Sequence, residues 1–225
     1  MGQPAYPWRG RITGTAADVA SFVPGYADFV LHYAGLAAEA GGVDAFLIGS
    51  ELVGLTSIRD GSDFPFVEAL VDIAADVRAL LPETKLTYAA DWSEYSGVQS
   101  GDGEKRFHLD PLWASPAIDA VGIDNYMPLS DWRDGEDHAD AAWLAVWNPD
   151  YLKANIEGGE GFDWYYDSPE GEATQVRLPI TDGAFEEPWV FRVKDMRNWW
   201  QMPHHSRAAG VEQDQLSQQA VLCGV

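Results

Sequence analysis

Cysteine is almost missing: Cys223 stands alone in 225 residues, which excludes an intrachain disulfide and a thiolate metal cluster. Basic residues are scarce as well. Fourteen Lys and Arg face 36 Asp and Glu, a formal charge of −22, so a phosphate backbone or an anionic lipid surface meets repulsion over most of the molecule. The expectation is therefore no nucleic-acid partner and no membrane partner, with a neutral sugar polymer left open. No apolar run approaches the roughly 20 residues of a spanning helix. The start, Met1-Gly2-Gln3-Pro4-Ala5-Tyr6-Pro7-Trp8-Arg9, lacks the basic and apolar regions of a secretory signal peptide, so the chain is expected to be cytoplasmic on synthesis. His204-His205 has no third ligand at matching spacing, and adjacent residues on a helix diverge, so neither metal nor other cofactor is expected. Gly158-Gly159-Glu160-Gly161 lacks the lysine and context of a phosphate loop and reads as a turn. Ile48-Gly49-Ser50-Glu51-Leu52 is not the Gly-x-Ser-x-Gly elbow, which disfavours an esterase.

What is present is an ordinary soluble balance, 46% hydrophobic and 22% charged, with an unusual ten Trp. The length is near the lower end for an eight-stranded α/β barrel of about 250 residues. Phe29, Val30, Tyr33, Leu36, Ala37 and Ala40 repeat at three and four and predict a helix from Tyr26 that stops at Gly41-Gly42. Val43 to Leu52 then reads as a strand buried on both faces, ending in Glu51. Asp63 is placed to cap a second helix, with Pro65 in its first turn and Val67, Leu70, Val71, Ala74, Val77 and Leu81 as its stripe. Lys85 to Ala90 predicts a second strand ending in Asp91-Trp92-Ser93-Glu94. A short segment around Pro111-Leu112-Trp113 precedes a third, Ile118 to Ile123, ending in Asp124-Asn125-Tyr126.

Strands separated by helical segments join by right-handed crossovers and run parallel in one sheet. Their acids then converge on one rim. Beyond Tyr126 the rhythm stops for about 90 residues, with helices expected over Asp150 to Ile156 and Pro188 to Trp200, which reads as an elaborated loop or subdomain.

Acids on the carboxyl ends of parallel strands are where barrel enzymes keep their chemistry. Glycoside hydrolysis needs two carboxyl groups flanking the bond, one to protonate the leaving oxygen and one to attack or to activate water. Glu51 is the candidate catalytic acid. Asp91, Trp92, Glu94, Asp124, Asn125 and Tyr126 are the candidate substrate-binding residues, the aromatic rings offering flat faces to sugars. The competing reading of each acid is a helix cap or a backbone anchor. For most of the Trp it is core packing.

Three long strings stand together here: Phe46 to Leu52, Leu86 to Tyr95, and Ala120 to Trp132. Gly158 to Tyr166, Ile180-Thr181-Asp182-Gly183, Lys194-Asp195 and Trp199-Trp200 follow in the same order. With them the chain resembles the glycoside hydrolase-like TIM-barrel domain of gene transfer agent and phage tail (baseplate) proteins. The likeness runs over about residues 7 to 207. The resemblance implies an α/β fold, a partial (β/α)8 TIM barrel of about strands four to six. The barrel domain would span 1–207, with a large insertion at about 127–207 and a divergent, flexible tail at 208–225.

The resemblance also implies a place in the tail or baseplate of a phage-like particle, tail proteins and cell-envelope glycan as partners, and acid/base hydrolysis of glycosidic bonds in the intact parent. Glu51 matches the acid/base at the end of strand four, and Ser50 stands where such hydrolases usually carry Asn. The nucleophilic Glu of strand seven has no counterpart, because the chain departs from the pattern after Ala208. No counterpart of strands one to three is found before residue 1. The chain alone is therefore expected to be inactive. A non-catalytic structural or carbohydrate-binding baseplate module, or an inactive truncated fragment, is the alternative.

Overall fold

Thr15 and Asp18 open the first long helix, α1 (Ala16–Glu39), through a reciprocal capping box in which Thr15 N–H donates to the Asp18 carboxylate at 2.8 Å. The computed structural model describes residues 8–101, 103–182, 185–208 and 211–212. It divides into two units, one of 8–98 with 106–125 and one of 99–105 with 126–212. α1 starts ten residues before the expected Tyr26, since the cap at Thr15 outweighs Pro24, which lies inside the helix. The expected apolar face is also corrected. Val19, Val30 and Ala34 are buried, whereas Phe29, Tyr33 and Leu36 are exposed, because the helix is apolar on two sides and only one packs on its neighbours.

In the first unit, β1 (Ala45–Ser50) and α2 (Val53–Thr56) follow, then α3 (Pro65–Leu80) and β2 (Lys85–Asp91). Next come two two-residue strands at the division of the chain, β3 (Val98–Gln99) and β4 (Lys105–Arg106), whose Gln99 and Lys105 belong to the second unit, and then the short helix α4 (Asp110–Trp113) and β5 (Gly122–Asp124) of the first. The sheet order is β1-β2-β5, all parallel, as expected from the alternation of strands and helices. Phe46 pairs with Leu86 and Leu47 with Thr87, which assigns Ile48, Leu86, Tyr88 and Ala90 to the face buried with α3 residues Phe66, Val67, Leu70, Ile73, Ala74 and Val77. Phe22, Tyr26 and Phe66 form an aromatic cluster with centroids 5.6 to 6.0 Å apart, tying α1 to α3. Among the described residues the parallel sheet has three strands and does not close.

The third strand is shorter than expected, Gly122–Asp124 in place of Ile118 to Ile123. Asp119 takes over the missing ladder positions. Its N–H donates to the Leu86 carbonyl at 2.9 Å, and its carboxylate accepts the Leu86 N–H at 2.8 Å while pairing with Arg78 and Lys85. At α3 the cap residue is Phe64 and makes no side-chain cap bond. Asp63 is held instead in a backbone bridge to Asp60 and accepts a bond from Ser62. Pro65 is the first helical residue, as read from the sequence.

The second unit carries α5 (Pro149–Ala154), β6 (Trp164–Tyr165), α6 (Pro169–Thr174), β7 (Leu178–Pro179), α7 (Met196–Gln201), β8 (Arg207–Ala208) and β9 (Val211–Glu212). β6 pairs antiparallel with β7, and β8 with β4 and β9. The helix expected over Pro188 to Trp200 is two pieces, a 3-10 turn at Pro188–Phe191 and then α7, which restarts because the Asp195 side chain caps it by accepting the Asn198 N–H. Gly158 to Gly161 is a turn; Gly159 and Gly161 have φ of 69° and 77°, which a side chain would strain. Of the expected tail, Ala208 lies in β8 and Val211 and Glu212 form β9, which pairs antiparallel with it; the rest, with Cys223, lies outside the described residues.

Three of the scarce basic residues lie inside. Lys105, Lys194 and Arg207 are nearly fully buried, and Arg207 pairs with Asp182 at 3.1 Å and Glu187 at 2.7 Å. Another close approach is backbone on backbone. A Cβ on Gly54 of α2 would sit 2.5 Å from the Ile12 carbonyl oxygen and 2.8 Å from that of Gly10. Gly54→Ala should therefore cost about 1 to 3 kcal/mol in urea unfolding, and an unchanged midpoint would show that the lead-in does not sit on α2.

Candidate functional site

Ser50, Asp91 and Asp124 are the last residues of β1, β2 and β5, and the parallel register sets Ser50 beside Ala89 and Asp91 beside Asp124. The three tips therefore share one end of the sheet. Ser50 Oγ donates to Asp124 Oδ2 at 3.0 Å, reaching across the central strand. Ala89, the small residue between them on that face, leaves room for the crossing.

Glu51 follows directly, with its backbone N–H on the Ala89 carbonyl at 2.8 Å and φ of 52°, a left-handed conformation that is uncommon for a residue with a side chain. Such a conformation costs on the order of 1 to 3 kcal/mol and persists only where the surroundings hold it. The carboxylate is largely buried, and Oε2 lies 3.2 Å from Arg9 Nη2.

Asp91 is buried and forms a turn, its Oδ1 accepting the Ser93 N–H at 2.8 Å and the Ser93 hydroxyl at 2.5 Å. Glu94 lies beneath the tips and is only 2% exposed. Its carboxylate accepts hydrogen bonds from the hydroxyls of Thr56 and Tyr88 and from the Asp91 N–H at 3.1 Å, while the Tyr88 oxygen accepts the Leu52 N–H at 2.6 Å. Glu94 is thus an internal tie joining the exit of β1, α2 and the tip of β2, with no open face for a ligand. Burial pushes its carboxyl up to about 7, against the pull of these three donors. Trp92 is half-buried, and Asn125 is exposed. Tyr126, 70% exposed, belongs to the second unit.

Arg9, Thr56 and Tyr88 were not singled out from the sequence. The box-like spacing of Asp91 and Glu94 carried a signal for the tie, since Glu94 closes back on the Asp91 N–H. Arg9 gave none, being 42 residues from its partner.

In the second unit the buried acids Asp131 and Asp140 are paired internally. Asp131 receives Arg177 at 2.6 Å, Tyr166 at 2.5 Å and Gln175 at 2.9 Å, and Arg177 also bonds Asp140 at 2.8 Å while lying 4.3 Å over the Trp164 ring. Lys194 Nζ donates to the carbonyls of Asn155 and Gly158 at the end of α5, and burial lowers it to about 8. His204 Nε2 lies 2.7 Å from the Trp199 carbonyl, between the rings of Trp189 and Trp199. Trp113, Trp189 and Trp199 are buried, whereas Trp147 and Trp200 are exposed. Among the described residues no three His, Cys, Asp or Glu side chains gather as a cation would require, and no helix is long and apolar enough to cross a membrane.

Parallel strands that present acids at their carboxyl ends, backed by helices, define an α/β domain of TIM-barrel-like type. The model of the GTA TIM-barrel-like domain matches residues 25–221, and the chain belongs to this gene transfer agent family. No curated protein matches it.

The Glu94 tie makes stability depend on pH. Its folded value of about 7 lies above the ordinary 4.5, so the folded state holds a proton that the unfolded state has lost, and this contribution, complete below 4.5, disappears as pH rises through 7. Glu94→Gln keeps an acceptor and cannot ionise. Urea unfolding at about pH 5 and about pH 8 should show the variant gaining on the native protein with rising pH; a constant difference would mean that Glu94 does not titrate in this range.

Proposed function

We propose that the chain is part of a hydrolase-type barrel, about strands four to six, whose strand ends engage cell-envelope glycan when a gene transfer agent or phage-like tail meets a cell. The reading of a larger barrel is supported by the edge position of β1, by Leu47 standing 53% exposed on the sheet, and by the exposed Phe29, Tyr33 and Leu36 of α1. An unpaired edge strand beside uncovered apolar side chains is the surface that neighbouring strand-helix units cover in a barrel. The residues from about 127 to 207 are read as its insertion.

The observation that carries the functional reading is the convergence of Glu51, Asp91 and Asp124 at one end of a parallel sheet. In this reading Glu51 is the proton donor to the leaving oxygen, Ser50 orients Asp124, and Asp124, Asn125 and Trp92 meet sugar hydroxyls and ring faces. Asp91 holds the turn that carries Trp92. Hydrolysis belongs to the intact parent, because a second carboxyl placed to attack or to activate water is needed.

The Arg9–Glu51 ion pair supports a second reading, a module that grips glycan or structures a baseplate without cleaving, since one oxygen of the acid is already occupied. Two measurements separate the readings. Pelleting with insoluble peptidoglycan should retain the Glu51→Gln protein and lose about tenfold in affinity for Asp124→Ala, while release of soluble sugar by the intact parent should fall at least about 100-fold for Glu51→Gln. Unchanged release removes Glu51 from the chemistry and favours the gripping module. Failure of the native protein to pellet removes glycan from the account.

A further inference from the structure

The Glu94 carboxylate, within the first unit, is met by donors alone: the hydroxyls of Thr56 and Tyr88 and the Asp91 N–H. That arrangement is complete for the ionised form. A protonated carboxyl carries an O–H of its own, and in a site 2% exposed this hydrogen has to find its acceptor among the same neighbours. One of the donors must then turn away.

Geometry decides which one. The Asp91 N–H, 3.1 Å from Oε2, is backbone at the end of β2 and cannot rotate. The Tyr88 hydroxyl lies 3.1 Å from Oε1 and 3.2 Å from Oε2, and its oxygen already accepts the Leu52 N–H at 2.6 Å. Its hydrogen has no acceptor other than Glu94 among the described residues, so turning it would strand a buried donor. Thr56 differs. Its single hydroxyl hydrogen has two acceptors in reach, Glu94 Oε1 and the Val53 carbonyl at 3.4 Å three residues back on α2, and serves one at a time. The Ser57 hydroxyl bonds the same carbonyl at 2.7 Å, but it is half-buried and can give way to water.

Burial places Glu94 at about 7, so both forms are populated near neutral pH. The groups around it stay in one form over that range. Burial holds Tyr88 well above its ordinary value and Tyr26 of α1, which acts on Tyr88, at about 12. α2, Val-Gly-Leu-Thr, carries no titratable side chain. Asp91 contributes a like charge that favours the proton on Glu94.

We propose that Thr56 is a positioning residue for the strand ends: its hydroxyl donates to the Glu94 carboxylate, and accepts from the protonated carboxyl while donating to Val53, so that Tyr88, Leu52 and Asp91 keep their bonds in both forms. The added proton comes from solvent, and Thr56 only rotates about its Cβ–Oγ bond. What this preserves is the rim. Leu52 follows Glu51 with its left-handed backbone, and Asp91 holds the turn that carries Trp92. Its use for glycan rests on the reading of the strand ends given above; the reversal of the hydroxyl does not.

Amide hydrogen exchange of the full chain at about pH 5 and about pH 8 tests it. The readout is the protection of Leu52 divided by that of the buried α3 amides Leu70 and Ile73, which removes the change in global stability. In the native protein this ratio should hold within about threefold while the Glu94 carboxyl carbon titrates in the NMR spectrum. Thr56→Val, of the same shape, should lose at least about tenfold in the ratio at the lower pH, where the Glu94 proton can turn only to Tyr88, and far less at the higher. Thr56→Ser should restore the native behaviour. A Glu94 carboxyl that does not titrate, a native ratio that collapses at the lower pH, a Val variant equal to native or equally weakened at both pH values, or no rescue by Ser each overturns the proposal. Peptidoglycan pelleting of the same variants should follow the ratio. Exchange as expected with no pelleting by the native protein upholds Thr56 and removes glycan instead.

Discussion

The buried Glu94 carboxylate fixes where the strand ends lie. Thr56 on α2, Tyr88 on β2 and the Asp91 N–H at the tip of β2 all donate to it, and the Leu52 N–H just past β1 donates to the Tyr88 oxygen. Two of these donors, the N–H groups of Asp91 and Leu52, are backbone groups where β1 and β2 end. A buried donor left unsatisfied costs about 1 to 3 kcal/mol, so one carboxylate in a dry position replaces several separate losses. Its own desolvation is the cost, and it raises the carboxyl's proton affinity in spite of the three donors. Glu51 is a consequence of this tie: with Leu52 pinned on one side and the Ala89 carbonyl on the other, the chain turns through a left-handed residue.

Electrostatics follow the same economy in the second unit. A chain this acidic would repel itself if its few cations stayed in solvent, and Arg207 instead lies fully buried between Asp182 and Glu187, while Arg177 joins Asp131 and Asp140. The acids left outside are then nearly unopposed. They do not favour polyanions.

The parallel sheet was legible because its signal is local. Apolar runs of strand length, Gly41-Gly42, Pro65 and the helical spacing of Val67 to Leu81 each specify backbone over a few residues, and right-handed connection does the rest. The misreadings came where a side chain displaced a local preference. Thr15 extended α1 past Pro24, Asp119 replaced half of a strand, and Asp195 split a helix. Phe29, Tyr33 and Leu36 had the right spacing and lie on the uncovered side, since periodicity marks an apolar face without saying whether anything packs on it.

Sequence by itself determined that three strands run the same way and that an acid stands at or just past the end of each, because both follow from the order of residues along short stretches. Only the tertiary structure decided what each acid does. Glu94 went inward to Tyr88, Asp91 turned onto Ser93, Asp124 met Ser50 across the central strand, and Glu51 met Arg9 from 42 residues away. Burial and partners are properties of the packed chain, set by which backbone groups need satisfying once the strands are side by side.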